Sequence, residues 1–108
     1  MRVLFDQGVP APLRHHLLSH SISTAHEMGW STLANGDLLD AAEASFDAFV
    51  TTDKNLSYQQ NLAVRRIAIV VLGQARWPLV QVHVARVIAA VNAATPGSYT
   101  EVEIPESP

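Results

Sequence analysis

The chain has 108 residues, 48% of them hydrophobic and 16% charged, and a formal net charge of −3. Such a composition describes one globular domain and excludes a disordered chain. The absence of cysteine excludes disulfides, thiolate zinc sites and cysteine nucleophiles, and the acidic balance argues against an architectural nucleic-acid binder, though not against a nuclease whose carboxylates are neutralised by metal.

Arg2-Val3-Leu4-Phe5 is bounded by Asp6 and Gly8 and reads as a first strand. Pro10 and Pro12 suit a loop or first helical turn. Leu13, Leu17 and Leu18 then predict a helix over Ala11 to His20. Ser21 to Ala25 alternates and predicts a second strand, and Gly29 to Gly36 a long connection. Asn35-Gly36-Asp37 is a break and helix-start signal. Leu38, Leu39, Ala41, Ala42 and Phe46 form the apolar side of the helix that follows, which Asp47 ends.

Ala48 to Thr52 is a third strand, stopped by Asp53, and residues 54–64 read as a polar loop or short helix. The unbroken apolar run Ile67 to Leu72, ending at Gly73, suits a central strand covered on both faces. Trp77-Pro78 opens the clearest helix, with Val80, Val84, Val87, Ile88 and Val91 as one stripe. Thr95-Pro96-Gly97 stops it. Tyr99 to Ile104 is a last, edge strand whose Glu101 and Glu103 face solvent. The order βαβαβ(α)βαβ predicts an α/β sandwich with a mainly parallel central sheet, residues 1–105 forming the domain and 106–108 a frayed tail. No run is long enough to span a bilayer and the first residues lack a signal-peptide core, so a cytoplasmic protein without a membrane partner is expected.

In parallel α/β sheets, ligands bind beyond the carboxyl ends of the strands. Asp6 follows the first strand, Glu27 the second and Asp53 the third, and Asp37 lies at a helix start on the same edge. Each has a plainer reading. Asp37 would cap a helix, Asp6 and Asp53 would end strands in turns, and Glu27 would be a solvated loop residue. Gathered at one edge, the acids would repel one another unless a cation compensated them, and their hard oxygens suit Mg²⁺ or Mn²⁺. The matching chemistry is phosphodiester cleavage.

His16 and His20 are four residues apart, but no HExxH pattern accompanies them, and a polar helix face is the plainer reading for His15, His16 and His20. Tyr58, Gln59, Gln60 and Asn61 offer a stacking ring and amides of use to single-stranded nucleic acid, and Lys54, Asn55, Arg65 and Arg66 flank them as candidate contacts. A solvated loop explains the same residues. Trp30 and Trp77 read as packing residues.

Three segments resemble one family. Leu4-Phe5-Asp6-Gln7-Gly8-Val9-Pro10, the Asn35-Gly36-Asp37-Leu38-Leu39 helix start and Val50-Thr51-Thr52-Asp53-Lys54-Asn55-Leu56 are similar to the small PIN-like proteins of bacteria, as is Thr24 to Trp30. These resemble PIN-domain ribonucleases, many of them toxins of toxin–antitoxin pairs. The resemblance implies a PIN-like three-layer sandwich in which Asp6, Asp37 and Asp53 hold Mg²⁺ or Mn²⁺ and Thr51 orients the site. It also implies single-stranded RNA as substrate and an antitoxin protein as partner. Glu27 is the nearest candidate for the family's further acid, though it does not stand in the usual helical place. Related chains often carry Asp-Glu-Asn after the first strand, whereas Gln7 and Gly8 stand here, one acid fewer.

Two other readings compete. A phospho-receiver would use Asp53 as acceptor, but it needs paired acids after the first strand and a lysine after the fifth, and Lys54 is the only lysine. The second is a non-catalytic PIN-like binding module with a vestigial acidic site. The high apolar fraction is compatible with a homodimer.

Overall fold

The computed structural model describes residues 1–59 and 61–106, the side chains of Tyr58, Gln59 and Ala63 excepted. Five strands, β1 (Arg2–Phe5), β2 (Ser21–Thr24), β3 (Ala48–Thr51), β4 (Ala68–Leu72) and β5 (Tyr99–Val102), form one sheet in the order β2-β1-β3-β4-β5. Every pairing is parallel, one step beyond the mainly parallel sheet expected. Parallel neighbours need crossovers, and here helices supply them.

Register explains the layers. Leu4, Phe49 and Ile69 lie in one row across β1, β3 and β4, and Phe5, Val50 and Val70 in the next. Successive side chains point to opposite faces. The first row packs with Leu38, Leu39 and Ala42 of helix α1 (Asn35–Ser45) and with Leu56 of the short helix α2 (Leu56–Gln59). The second packs with Leu13 of a 3₁₀ helix (Ala11–His16), Leu79 and Val80 of α3 (Trp77–Val82), and Val87 and Val91 of α4 (Val84–Ala93). The architecture is a three-layer α/β sandwich. All of β4 is buried, as its unbroken apolar sequence requires. Each fully buried aliphatic side chain contributes about 1.5–3 kcal/mol. Among the described residues no helix is long and apolar enough to cross a membrane.

Four expectations need correction. The helix expected over residues 11–20 is a 3₁₀ helix ending at His16. Pro10 and Pro12 lack the amide donors of an α-helical turn, so a tighter turn buries Leu13 and Leu17 and leaves Leu18 81% exposed. The long helix after Trp77 is two helices meeting at His83. The β-branched run Val80-Gln81-Val82-His83-Val84 propagates a helix weakly, and the break lets Val80 and Val87 enter one core. Helix α1 begins at Asn35 with Ala34 as its N-cap, so Asp37 lies in the first turn and its side chain caps nothing. Strand β5 ends at Val102, short of Ile104, and is an edge strand as expected.

Candidate active site

The connection after β1 passes to the face packed against α3 and α4, because Leu13 of the 3₁₀ helix packs there. The connection after β3 turns to the α1 face, where Leu56 is buried. The two loops therefore part at the carboxyl ends of adjacent strands and leave a crevice, the switch point at which open α/β sheets bind ligands.

Asp6 and Asp53 stand on its two sides. Asp6 is half-buried, and its amide donates to the Val50 carbonyl at 2.9 Å, which fixes it at the end of the sheet. The Thr51 hydroxyl donates to Asp6 Oδ2 at 2.8 Å, and the Gln7 amide donates to Oδ1 at 2.9 Å. Thr51 is wholly buried, the one buried polar side chain among the described residues. Its hydroxyl also accepts the Asp53 amide at 3.1 Å. One hydroxyl thus links the two acidic residues.

The Asp53 carboxylate is held as firmly. Asn55 donates its amide to Oδ1 at 2.9 Å in an Asx turn, and Asn35 donates its side-chain amide to Oδ2 at 3.2 Å. Asn35 opens α1, so this bond ties that helix to the end of β3. Gln7 closes the other side by donating Nε2 to the Ser31 carbonyl at 2.9 Å. Next to it, a Cβ on Gly8 would overlap the Thr52 hydroxyl, so the glycine there has a steric cause.

Asp37 is exposed on the first turn of α1, two residues after the Asn35 that bonds Asp53. Glu27 is occupied: its carboxylate accepts the Arg14 guanidinium and the Thr24 amide at 2.9 Å, while its own amide donates to Thr24 Oγ1 at 3.1 Å. That reciprocal pair has the bonding pattern of a capping box, closed here around the turn after β2. The Arg14 hydrogen bond, with help from the Thr24 amide, lowers the Glu27 pKa to about 2.

Lys54 is exposed beside Asp53. Arg65 and Arg66 precede β4, so in an all-parallel sheet they lie at the edge opposite Asp6 and Asp53. Arg65 pairs there with Asp40 at 2.7 Å and Glu43 at 3.3 Å on α1, and the Arg66 amide donates to Glu43. Gln60 and the side chains of Tyr58 and Gln59 lie outside the described residues. His16 stacks near Trp77, and His20 shares a hydrogen bond with Asn92 at 2.7 Å.

Among the described residues no group of three or more His, Asp or Glu gathers as a metal cluster, and no Lys, Arg or His pairs with Asp6 or Asp53. Two carboxylates held only by neutral donors remain. Each oxygen accepts one bond and keeps a second lone pair. This donor set fits a hard divalent cation of the Mg²⁺ kind, which takes one or two carboxylates and completes its sphere with water and phosphate oxygens.

Sequence reasoning pointed to Asp6, Thr51 and Asp53 but missed Asn35 and Gln7. The signal for Asn35 is an amide side chain at the first position of a helix that starts at the acidic edge. No family model, curated protein or solved structure matches this chain.

Proposed function

We propose that the chain is a PIN-like, divalent-metal-dependent ribonuclease that hydrolyses single-stranded RNA at the crevice between β1 and β3. The observation that carries this reading is the Thr51 bridge, which joins Asp6 and Asp53 at the switch point, where among the described residues neither has a cationic partner. Asp6 and Asp53 would hold Mg²⁺ or Mn²⁺. When bound, the cation supplies charge neutralisation at the phosphate and lowers the pKa of water at the site.

The protein's own residues prepare that site. Thr51 fixes the Asp6 carboxylate, while Asn35 and the Asn55 amide fix that of Asp53, so neither must reorganise when substrate arrives. Lys54, exposed beside Asp53, offers a contact for the bound strand. Asp37 on the first turn of α1 adds negative charge near the mouth. An antitoxin-type protein partner belongs to the same proposal.

One observation favours a second reading, a non-catalytic PIN-like module: no third carboxylate joins Asp6 and Asp53 among the described residues. The two readings separate in a cleavage assay. Purified protein is incubated with fluorescently labelled single-stranded RNA in Mg²⁺, in Mn²⁺ and in EDTA, alongside Asp6→Asn. Metal-dependent cleavage that is lost in the folded variant supports the nuclease. No cleavage under any condition leaves the binding module.

A further inference from the structure

Next to Asp53 the carboxyl edge of the sheet opens into a second feature, a groove of about 460 Å³ lined by Lys54, Val71, Gly73, Glu101, Val102 and Glu103. Its origin lies in register. Glu101 pairs with Val71, so both lie on the α1 face of the sheet. The α1 residues pack with β1, β3 and β4, and Tyr99 and Glu101 of β5 remain exposed on that face. Gly73 lines one end of the groove and lets the backbone of residues 102–104 pass close, its missing Cβ lying 3.1 Å from Ile104 N and Val102 O.

The lining sorts the ligands it can accept. Among the described residues Lys54 pairs with neither glutamate. Glu101 accepts the Tyr99 hydroxyl through Oε1 at 3.2 Å. Two carboxylates against one ammonium repel a phosphate, so the sugar–phosphate chain does not lie here. A flat ring set in the groove, its polar edge toward the charged groups, is favoured instead. The volume is that of a small-molecule site.

The identity of the ring follows from donors and acceptors. An ammonium only donates and a carboxylate only accepts. Guanine alone among the four RNA bases presents one acceptor, O6, beside two adjacent donors, N1–H and N2–H. Adenine and cytosine turn a lone pair toward the carboxylate next to their single amino group, and uracil sets its one N–H between two carbonyls. We propose that this groove is a guanine subsite, Lys54 donating to O6 and the Glu101 and Glu103 carboxylates accepting from N1–H and N2–H. The proposal rests on the reading of the Asp6–Asp53 crevice as an RNA site, since a strand held beside Asp53 would bring a neighbouring base to Lys54.

The test is a ¹⁵N amide titration of the full chain with 5′-GMP, 5′-IMP, 5′-AMP and 5′-UMP, none of which requires metal or cleavage. Saturable shifts at Gly73 and Val102 are expected, with GMP bound about tenfold more tightly than AMP or UMP and IMP, which lacks the N2 amino group, in between. The exposed double substitution Glu101→Gln with Glu103→Gln should abolish that preference while keeping the dispersed spectrum and leaving Mn²⁺ binding intact. No saturable shift, equal affinity for all four nucleotides, or a preference that survives the double substitution would overturn the inference. A strand ligand further requires rUUGUUU to bind more tightly than rUUUUUU, and equal binding of the two overturns the assignment to RNA. GMP binding with neither Mn²⁺ binding nor RNA cleavage would fail the ribonuclease reading and leave the guanine groove standing.

Discussion

The Thr51 hydroxyl donates to Asp6 Oδ2 at 2.8 Å and so couples the end of β3 to the end of β1. The same oxygen accepts the Asp53 amide, so its loss would release both acidic residues. Thr51→Val keeps the shape and removes the hydroxyl. It should cost about 1–3 kcal/mol of stability, because a buried amide and a carboxylate oxygen lose their partner. Thr51→Ser keeps the bonds and should retain Mn²⁺ affinity that the valine variant loses. Urea unfolding and metal titration of both variants check this.

Asn35 supports the site by donating its side-chain amide to Asp53 Oδ2. Asn35→Ala should weaken Mn²⁺ binding about tenfold, the scale seen when a residue supporting a metal ligand is removed. Loss of the bond to Asp53 should cost about 1 kcal/mol of stability. Calorimetric affinity set beside the unfolding midpoint separates the two effects.

Glu27 carries a pH signature. Its folded-state pKa lies near 2 against an ordinary 4.5, chiefly through the Arg14 hydrogen bond. A depressed carboxyl pKa means that the unfolded chain takes up the proton first, so the stabilisation is present above about pH 4.5 and is lost as pH falls toward 2. Wild type should therefore melt above Glu27→Gln at pH 7, and the gap should close between pH 4.5 and 2. Thermal melts across that range test it, and a constant gap would show that the ion pair contributes nothing through its charge.

Gly73 is placed against backbone on both sides of its missing Cβ, at Ile104 N and Val102 O. Backbone in a paired strand yields little, so Gly73→Ala should destabilise by about 1–3 kcal/mol. The loss should appear first in amide exchange at β5, where the Gly73 amide donates to Val102 O at 2.9 Å.

Three of the five strands were legible because a residue that sheets exclude stops them: Asp6 after Phe5, Asp53 after the third strand and Gly73 after Leu72. In a parallel sheet those ends share one edge, so Asp6 and Asp53 could be placed together without knowing the strand order. The stripe from Val80 to Val91 was real, but the break at His83 was hidden, because periodicity continues across a kink that keeps both segments on one core. Arg65 and Arg66 lie near the Tyr58 segment in sequence, yet the start of a parallel strand lies at the far edge from the end of its neighbour. Asn35 could not be identified from spacing alone, since its role depends on the loop after β3 folding back to meet α1.

The central claim is that Asp6 and Asp53 form one site for a divalent cation. Calorimetric titration of Mn²⁺ into wild type and Asp53→Asn tests it most directly. The account predicts saturable binding by wild type and a loss of at least about tenfold in affinity in the variant, whose fold is retained. Equal binding by the two proteins, or none by either, would contradict it.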